Sequence, residues 1–276
     1  MNNREALRHF YAKFVTASAG VAEPQIIEGF ATVKREQFVG PGPWQIAVGG
    51  GYMATETDDP IVLYQDIVVA LVPDRGINNG EPSLHAKCLG TALPKAGDVV
   101  IHVGAGTGYY TAILAHLVGP TGRVHAYEID ADIARRAVEN LAEYTAVIVH
   151  ARSALEGPLP QADVIYVNAG ATHVPALWLE ALAPGGRLVL PLTPTERLGC
   201  MLLVTRRSDT VYAARVFSPA AFVPCIGARD ERQSRALAAA LNARAPDDVH
   251  SLRRGDEPDE TAWCIGDDWW LSTSEP

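Results

Sequence analysis

The sequence lacks the features that mark several classes of protein. Its four cysteines include no Cys-x-x-Cys pair and no nearby histidine at ligand spacing, so a structural zinc site is not expected. No stretch holds the roughly 20 consecutive apolar residues that a membrane-spanning helix requires. The first 14 residues carry four charged side chains in place of an apolar signal region. We therefore expect a cytoplasmic protein with buried, reduced cysteines and no membrane partner.

Basic side chains are also scarce, which bears on possible partners. The 276 residues include 23 lysines and arginines against 32 aspartates and glutamates, for a net charge of −9. Because nonspecific binding to nucleic acid depends on basic side chains that neutralise phosphates, we expect no nucleic-acid partner. The chain is 48% hydrophobic, and its length allows one large or two modest domains without disulfide or metal support.

Between residues 99 and 191, short apolar runs alternate with amphipathic segments. The runs predict buried strands and the segments between them predict helices, an order typical of an α/β doubly wound parallel sheet. The predicted strands are 99–103, 123–127, 146–149, 163–167 and 187–191, and the predicted helices are 109–118, 131–143 and 175–182.

The flanking segments are less regular. We predict helices over 3–17 and 23–32, irregular structure over 40–51, and either strands or a short buried helix over 61–64 and 67–72. After the sheet, the sequence predicts paired strands over 199–205 and 211–217, a helix over 231–243, a charged loop over 253–260 and a hairpin turning at 266–268.

A glycine-rich turn follows the first predicted strand of the sheet. It reads Gly104-Ala105-Gly106-Thr107-Gly108 and precedes a predicted helix. Glycines let the backbone turn tightly and approach a ligand, and the amides at the start of the helix face that ligand. A dinucleotide fingerprint would need a third glycine at Tyr109, which disfavours a nicotinamide-dependent oxidoreductase. The Gly-x-Gly-x-Gly spacing is typical of S-adenosylmethionine-dependent methyltransferases.

An acidic residue, Glu128, ends the next predicted strand. A carboxylate at that position can accept hydrogen bonds from both hydroxyls of a ribose. The alternative is that Glu128 only caps the helix that begins near Asp130. With the glycine turn, Glu128 favours an adenosyl ligand.

Several longer segments occur in an order that resembles the protein-L-isoaspartate O-methyltransferase family. The similar segments are 33–39, 97–109, 162–171, 182–191 and, more weakly, 222–224. The resemblance implies a Rossmann-like doubly wound sheet of the methyltransferase type with an N-terminal helical cap and a C-terminal extension. It also implies S-adenosylmethionine as cofactor. We expect a cap with an insertion over 1–75, the cofactor-binding domain over 76–222 and the extension over 223–276.

The resemblance and the glycine turn together imply a set of cofactor-binding residues. For Tyr109, and for the neighbouring Tyr110, the alternative is ordinary core packing. The set is Gly104, Ala105, Gly106, Thr107, Gly108, Tyr109, Glu128, Ile129, Ser153 and Asn168.

The chain departs from the family pattern around the acceptor. The family loop Gly-Gln-Thr-Ile-Ser-Gln-Pro is represented by 80–85, which reads Gly-Glu-Pro-Ser-Leu-His, and an insertion over about 61–75 precedes it. His102 stands where the family has an acidic residue, and 151–153 reads Ala-Arg-Ser in place of Gly-Asp-Gly. We therefore expect a preserved cofactor pocket and a remodelled acceptor pocket.

The candidate acceptor residues depend on the chemistry of the acceptor. A carboxylate is ionised at neutral pH and needs no general base, whereas an amine, phenol or alcohol needs one, for which histidine is the usual choice. Ser83 and His85 are the candidate catalytic residues, and Asn79, Glu81 and His173 are candidate substrate residues. The alternatives are that Ser83 is the N-cap and His85 a surface residue of a helix over 84–92, and that Asn79 and Glu81 are ordinary turn residues.

The favoured function is methylation of a carboxylate in a peptide or small molecule. One alternative is N- or O-methylation of a small molecule with His85 as base. Another is a catalytically silent protein that binds S-adenosylmethionine, which the altered loop makes worth considering. The sequence predicts neither the acceptor nor the oligomeric state.

Overall fold

The computed structural model describes residues 3–195 and 197–276. Two compact units are present. One takes in the chain up to Asp98 together with Ala105–Arg152, and the other consists of Val99–Gly104 and Ser153–Pro276. The domain boundaries at 75/76 and 222/223 stay a prediction. Among the described residues, no helix combines the length and apolarity needed to cross a bilayer.

Helices and strands alternate through the middle of the chain, as predicted. The helices are α1 (Asn3–Ser18), α2 (Pro24–Thr32), α3 (Pro82–Ala92), α4 (Tyr109–Val118), α5 (Ala131–Asn140), α6 (Ala176–Ala181) and α7 (Glu231–Ala243). The strands are β1 (Gln45–Val48), β2 (Gly51–Ala54), β3 (Ala70–Val72), β4 (Ile77–Asn78), β5 (Val99–Val103), β6 (Arg123–Tyr127), β7 (Val147–His150), β8 (Ala162–Val167), β9 (Leu182–Leu192), β10 (Gly199–Arg206), β11 (Tyr212–Ala220), β12 (Ser251–Arg253), β13 (Ala262–Ile265) and β14 (Trp270–Ser272).

The first unit is built around α1, α2 and α4, with β6 and β7 paired in parallel. Tyr11 of α1 and Phe30 of α2 are fully buried and meet edge to face, with ring centroids 6.2 Å apart. Pro24 begins α2 because its fixed φ suits the first helical position and its missing N–H has no partner there anyway. These contacts pack the N-terminal helices against α4, the helix that follows the glycine turn.

The prediction of irregular structure over 40–51 was wrong. The segment over 40–51 contains β1, which pairs with β2 in an antiparallel hairpin that turns at Gly49 and Gly50, both with positive φ. Both strands are largely exposed, so they lack the buried alternating pattern that would have revealed them. The segment over 61–64, predicted as strands or a short buried helix, forms a short 3₁₀ helix, Pro60–Leu63, and the side chain of Asp59 accepts a hydrogen bond from the N–H of Ile61.

The second unit contains a mixed sheet. Its strands are hydrogen-bonded in the order β13-β14-β12-β11-β10-β9-β8-β5. β5, β8 and β9 run parallel, whereas the strands from β9 to β13 pair antiparallel. The predicted α/β class is thus confirmed, as are the pairing of β10 with β11 and the hairpin of β13 and β14. β9 begins five residues earlier than the predicted strand over 187–191.

The segment after residue 224 extends this sheet. β12, β13 and β14 add to the edge beyond β11, and α7 packs against β13. Trp263, Trp269 and Trp270 are buried there. The four cysteines are all buried, as predicted. β12 was not predicted, because its three residues adjoin the charged segment over 253–260 and are too few for a periodic pattern.

Candidate active site

The glycine turn has the conformation that its sequence predicts. Gly104, Gly106 and Gly108 have φ values of 72°, 57° and 101°, a region that other residues rarely adopt. Gly108 is the N-cap of α4. A Cβ atom there would lie 2.6 Å from Cδ1 of Leu141, so even alanine would force this side chain to move. The turn therefore depends on glycine through backbone conformation and, at Gly108, through packing.

Glu128 lies against this turn within the first unit. It is 8% exposed, and its Oε2 accepts a hydrogen bond from the N–H of Gly106 at 2.8 Å, while Oε1 accepts from the N–H of Asp130 at 3.0 Å. Burial raises the pKa of Glu128, and the two N–H donors oppose that shift. Because a carboxylate can accept about four hydrogen bonds, acceptor capacity remains for a ligand.

The side chain that caps α5 is that of Asp130. Its Oδ1 accepts from the N–H groups of Asp132 and Ile133 at 3.1 and 2.9 Å. These bonds and an ion pair with Arg75, at 2.7 Å, lower the pKa of Asp130. The alternative that Glu128 only caps this helix is therefore wrong.

Tyr109, predicted to bind the cofactor, lies in an aromatic cluster of the first unit. It is 2% exposed, and its hydroxyl is 3.3 Å from that of Tyr11. Its ring is 6.5 Å from the ring of Phe30 and 5.9 Å from the guanidinium carbon of Arg35. Burial raises the pKa of Tyr109 well above its usual value. This environment corresponds to the core-packing alternative.

The predicted acceptor loop leads into α3, which begins earlier than expected. Pro82 occupies the first turn and the N-cap is Glu81, so the prediction that Ser83 is the N-cap was wrong. Proline favours the first helical position, which moves the cap one residue before it. The N–H of Ser83 donates to Oδ1 of Asp66 at 2.8 Å. Asp66, which the sequence analysis missed, therefore binds the start of this helix.

His85 is buried, so its interpretation as a surface histidine was wrong. It is 2% exposed and stacks on Tyr110 with ring centroids 3.7 Å apart and planes 14° apart. Gly80, which has a φ of 71°, packs against the Nε2 edge of the imidazole. A Cβ at Gly80 would lie 2.2 Å from Nε2 of His85. Packing against the loop backbone thus holds this histidine in place.

Asn79 is fixed from within the first unit. It is 8% exposed, and its Oδ1 accepts from the N–H of Val69 at 2.9 Å and from Nη2 of Arg35 at 3.3 Å. Both partners are donors only, so they determine which amide atom is the oxygen. Nδ2 is buried without a hydrogen-bond partner among the described residues. The Nδ2 group of Asn79 is therefore the part of this side chain that can donate a further hydrogen bond.

Arg35, another residue that the sequence analysis missed, organises this loop. It is fully buried, and it also donates to the carbonyl oxygens of Leu63, Gln65 and Ile67 at 2.7, 3.1 and 2.5 Å. Its place in the family-like segment over 33–39 was the available signal, but its partners lie 28 to 44 residues away. Spacing alone does not reveal such contacts.

The second unit holds four of the predicted residues, Gly104, Ser153, Asn168 and His173. Asn168 follows β8, and its Nδ2 lies 2.8 Å from Nε2 of the fully buried His102. Gly104 packs against the backbone of Asn168, since a Cβ at Gly104 would lie 3.4 Å from the Asn168 carbonyl. Ser153 accepts a hydrogen bond from the N–H of Leu155 at 3.1 Å. The structure thus brings Asn168 and Gly104 together at one end of the parallel strands.

His173 lies a few residues beyond Asn168. It is partly buried, and its Nδ1 has no hydrogen-bond partner among the described residues. Burial lowers the pKa of His173, while the charges of Asp230, Asp268 and Asp267 oppose this shift.

The fold is that of the S-adenosylmethionine-dependent methyltransferases. A structure titled protein-L-isoaspartate O-methyltransferase matches with a TM-score of 0.67 at 24% identity, over 79% of this chain and 66%, just under two thirds, of that chain. A Plasmodium falciparum chain assigned to the same family, in complex with S-adenosyl-L-homocysteine, matches with a TM-score of 0.64 at 18% identity, over 82% of this chain and 99% of that chain. These likenesses show the fold.

The particular family follows from sequence. The profile of protein-L-isoaspartate(D-aspartate) O-methyltransferase (PCMT) matches residues 14–230, and the chain belongs to this family. Protein-L-isoaspartate O-methyltransferase 1 of Geotalea uraniireducens (strain Rf4) is 30% identical over 228 residues, which cover 80% of this chain and 93% of the relative. The protein is an S-adenosylmethionine-dependent methyltransferase. α7 and β12–β14 lie beyond the matched residues.

Proposed function

We propose that this enzyme transfers the methyl group of S-adenosylmethionine to the carboxylate of an isoaspartyl residue in a peptide. The family and the names of its relatives support a peptide acceptor of this kind. The burial of His85 carries the choice of a carboxylate. An amine or alcohol acceptor would need a base that it can reach, and His85 is covered by Tyr110 and the loop backbone.

The residues of the first unit fit the adenosyl part of the cofactor. Glu128 is proposed to accept hydrogen bonds from the ribose hydroxyls with its remaining lone pairs, beside a turn in which Gly106 has no side chain. Ile129 follows Glu128 and is 45% exposed, which gives an apolar surface for the adenine. The remaining proposed contacts are Gly104, Ala105, Thr107, Gly108, Tyr109, Ser153 and Asn168.

The bound cofactor supplies a methyl group that is already activated by a positively charged sulfur. The protein then has to hold the acceptor in line with that methyl group and exclude water. A carboxylate acceptor brings its own negative charge, so no proton has to be removed. The glycine turn and Glu128 would hold the cofactor, which would supply the methyl group to an oxygen of the acceptor carboxylate.

The acceptor is proposed to lie against the loop that precedes α3. Asn79 has a buried N–H donor there with no partner among the described residues, and Ser83 and Glu81 lie at the start of the helix. Burial, and then the nearby charge of Asp66, raise the pKa of Glu81. His85 packs against the backbone of this loop, and His173 is a further proposed substrate residue.

The test compares His85→Gln with His116→Gln, a change of a histidine on α4. Both variants and the native enzyme receive labelled S-adenosylmethionine and an isoaspartyl peptide. We expect a methyl ester, which mild alkali hydrolyses to methanol, and a kcat for His85→Gln within about tenfold of the native value. A product that resists alkali, with near-complete loss in His85→Gln alone, would instead support N-methylation with His85 as base.

A further inference from the structure

His102 is the polar residue of an otherwise apolar strand, β5. It is fully buried, and in the pairing of β5 with β8 it lies opposite Tyr166, with ring centroids 5.4 Å apart. A buried imidazole costs free energy unless its nitrogen atoms are hydrogen-bonded. The bond that Nε2 makes, to Asn168 at 2.8 Å, is therefore part of what allows a histidine here.

The structure places the amide nitrogen of Asn168, rather than its oxygen, next to Nε2 of His102. An amide nitrogen can only donate, so the pair is bonded in the tautomer in which Nε2 carries no proton, a state that NMR can observe directly. A neutral imidazole then has its proton on Nδ1. Burial lowers the pKa of His102 to about 3, which keeps the ring neutral at physiological pH. The pair is thus a neutral acceptor joined to a neutral donor.

Asn168 is held at the edge where two parallel strands end. Its backbone N–H donates to the carbonyl oxygen of Val103 at 2.8 Å, and Gly104 packs on its carbonyl group. With Nδ2 bonded to His102, Oδ1 is the atom of this amide that remains to accept a hydrogen bond. Asn168 is partly exposed, and ligands of such sheets bind beyond the carboxyl ends of the strands, where Asn168 lies.

We propose that His102 is a positioning residue that orients Asn168 so that its Oδ1 accepts a hydrogen bond from an N–H donor of a bound ligand. The proposal rests on the methyltransferase function proposed above. Two ligands carry such a donor: the cofactor, in the ammonium group of its methionine part, and the peptide acceptor, in its backbone. A neutral His102 does not repel a cationic ammonium, as a charged imidazole would.

The experiment uses His102→Leu, which removes the acceptor, and His102→Gln, whose side-chain oxygen can replace Nε2. His9→Leu, on the exposed surface of α1, is the matched control. Calorimetry measures the affinity for S-adenosylhomocysteine and for methylthioadenosine, which lacks the amino-acid part. Steady-state kinetics measures KM and kcat for an isoaspartyl peptide, and thermal melting confirms that each variant is folded.

We expect His102→Leu to weaken the binding of one of the two ligands about tenfold, which corresponds to the loss of one hydrogen bond to an oriented partner. His102→Gln should restore most of that affinity, and kcat at saturation should change little. A loss for S-adenosylhomocysteine but not for methylthioadenosine identifies the ammonium as donor. Unchanged cofactor affinity with a raised KM for the peptide identifies the acceptor.

The proposal is overturned if His102→Leu changes neither the affinity for S-adenosylhomocysteine nor the KM for the peptide. It is equally overturned if His102→Gln binds the affected ligand as weakly as His102→Leu does. It is also overturned if NMR of the ¹⁵N-labelled histidines shows a proton on Nε2 of His102, a signal assigned by its absence in His102→Gln. The NMR measurement needs no ligand. A native protein that binds no S-adenosylhomocysteine, with the expected tautomer, would therefore count against the proposed function and leave the His102–Asn168 geometry established.

Discussion

The buried His102 makes the stability of the protein depend on pH in a way that can be calculated. Its imidazole is fully buried and neutral, and burial lowers its pKa to about 3. In the unfolded chain a histidine has a pKa of about 6.5. Below pH 6.5 the unfolded state therefore binds a proton that the folded state does not, and stability falls as the pH falls.

The size of this effect follows from the difference between the two pKa values. At pH 8 both states carry neutral His102 and the contribution is near zero. At pH 5 the unfolded state is protonated almost completely and the folded state hardly at all, which costs the fold about 2 kcal/mol. The loss continues toward pH 3, where the folded imidazole also begins to bind a proton.

Urea unfolding at pH 8 and pH 5 measures this contribution. The native protein should lose about 2 kcal/mol more than His102→Leu between the two pH values, because the variant has no group to protonate at that position. The other titrating residues are common to both proteins and cancel. His9→Leu, at an exposed histidine, should behave like the native protein. Equal losses in the native protein and His102→Leu would refute the reasoning.

Three further predictions concern the cofactor site, the acceptor loop and the extension. Glu128→Gln replaces one acceptor oxygen by an amide donor that faces an N–H, so calorimetry should show an affinity for S-adenosylhomocysteine at least tenfold lower. The control Glu139→Gln, on the exposed side of α5, should bind S-adenosylhomocysteine with the native affinity. In Arg35→Lys, the single ammonium group cannot reach all the acceptors that the guanidinium binds. Urea unfolding should therefore show a free energy of unfolding lower by about 3 kcal/mol, and steady-state kinetics should show a raised KM for the peptide. An unchanged KM would contradict the proposed role of Asn79. Trp263→Ala leaves a cavity at a buried position and removes the hydrogen bond from the indole N–H to the carbonyl oxygen of Ala245. The free energy of unfolding should fall by about 3 kcal/mol or more. The affinity for S-adenosylhomocysteine should stay unaltered if the extension is separate from the cofactor site.

The elements that the sequence predicts best are those with a buried face and clear ends. α4, β6 and α7 have the predicted bounds, since α4 lies between Gly108 and Gly119 and Asp230 caps α7. β1 and β2 were missed because exposed strands carry no hydrophobic alternation. In the extension, the sequence predicts α7 and the hairpin of β13 and β14 but not β12. This strand has only three residues and depends on its pairing with β11 and β14.

The candidate site divides in the same way. The glycine turn and Glu128 could be predicted because backbone conformation and local position determine them. The burial of His85 could not, because it results from Tyr110 on α4 and from Gly80, whose packing depends on the folded loop. Arg35 and its partners were missed for a related reason: hydrogen bonds to distant carbonyl groups leave no periodic trace in a sequence.

The most direct test of the account is mass spectrometry of the reaction product. Matched peptides, one with an isoaspartyl residue and one with aspartate at the same position, are incubated with the enzyme and S-adenosylmethionine. The account predicts that the isoaspartyl peptide gains one methyl group, that fragmentation places it on the carboxyl group of that residue, and that mild alkali removes it. A methyl group on nitrogen, or no methylation of either peptide by an enzyme that binds S-adenosylhomocysteine, would contradict it.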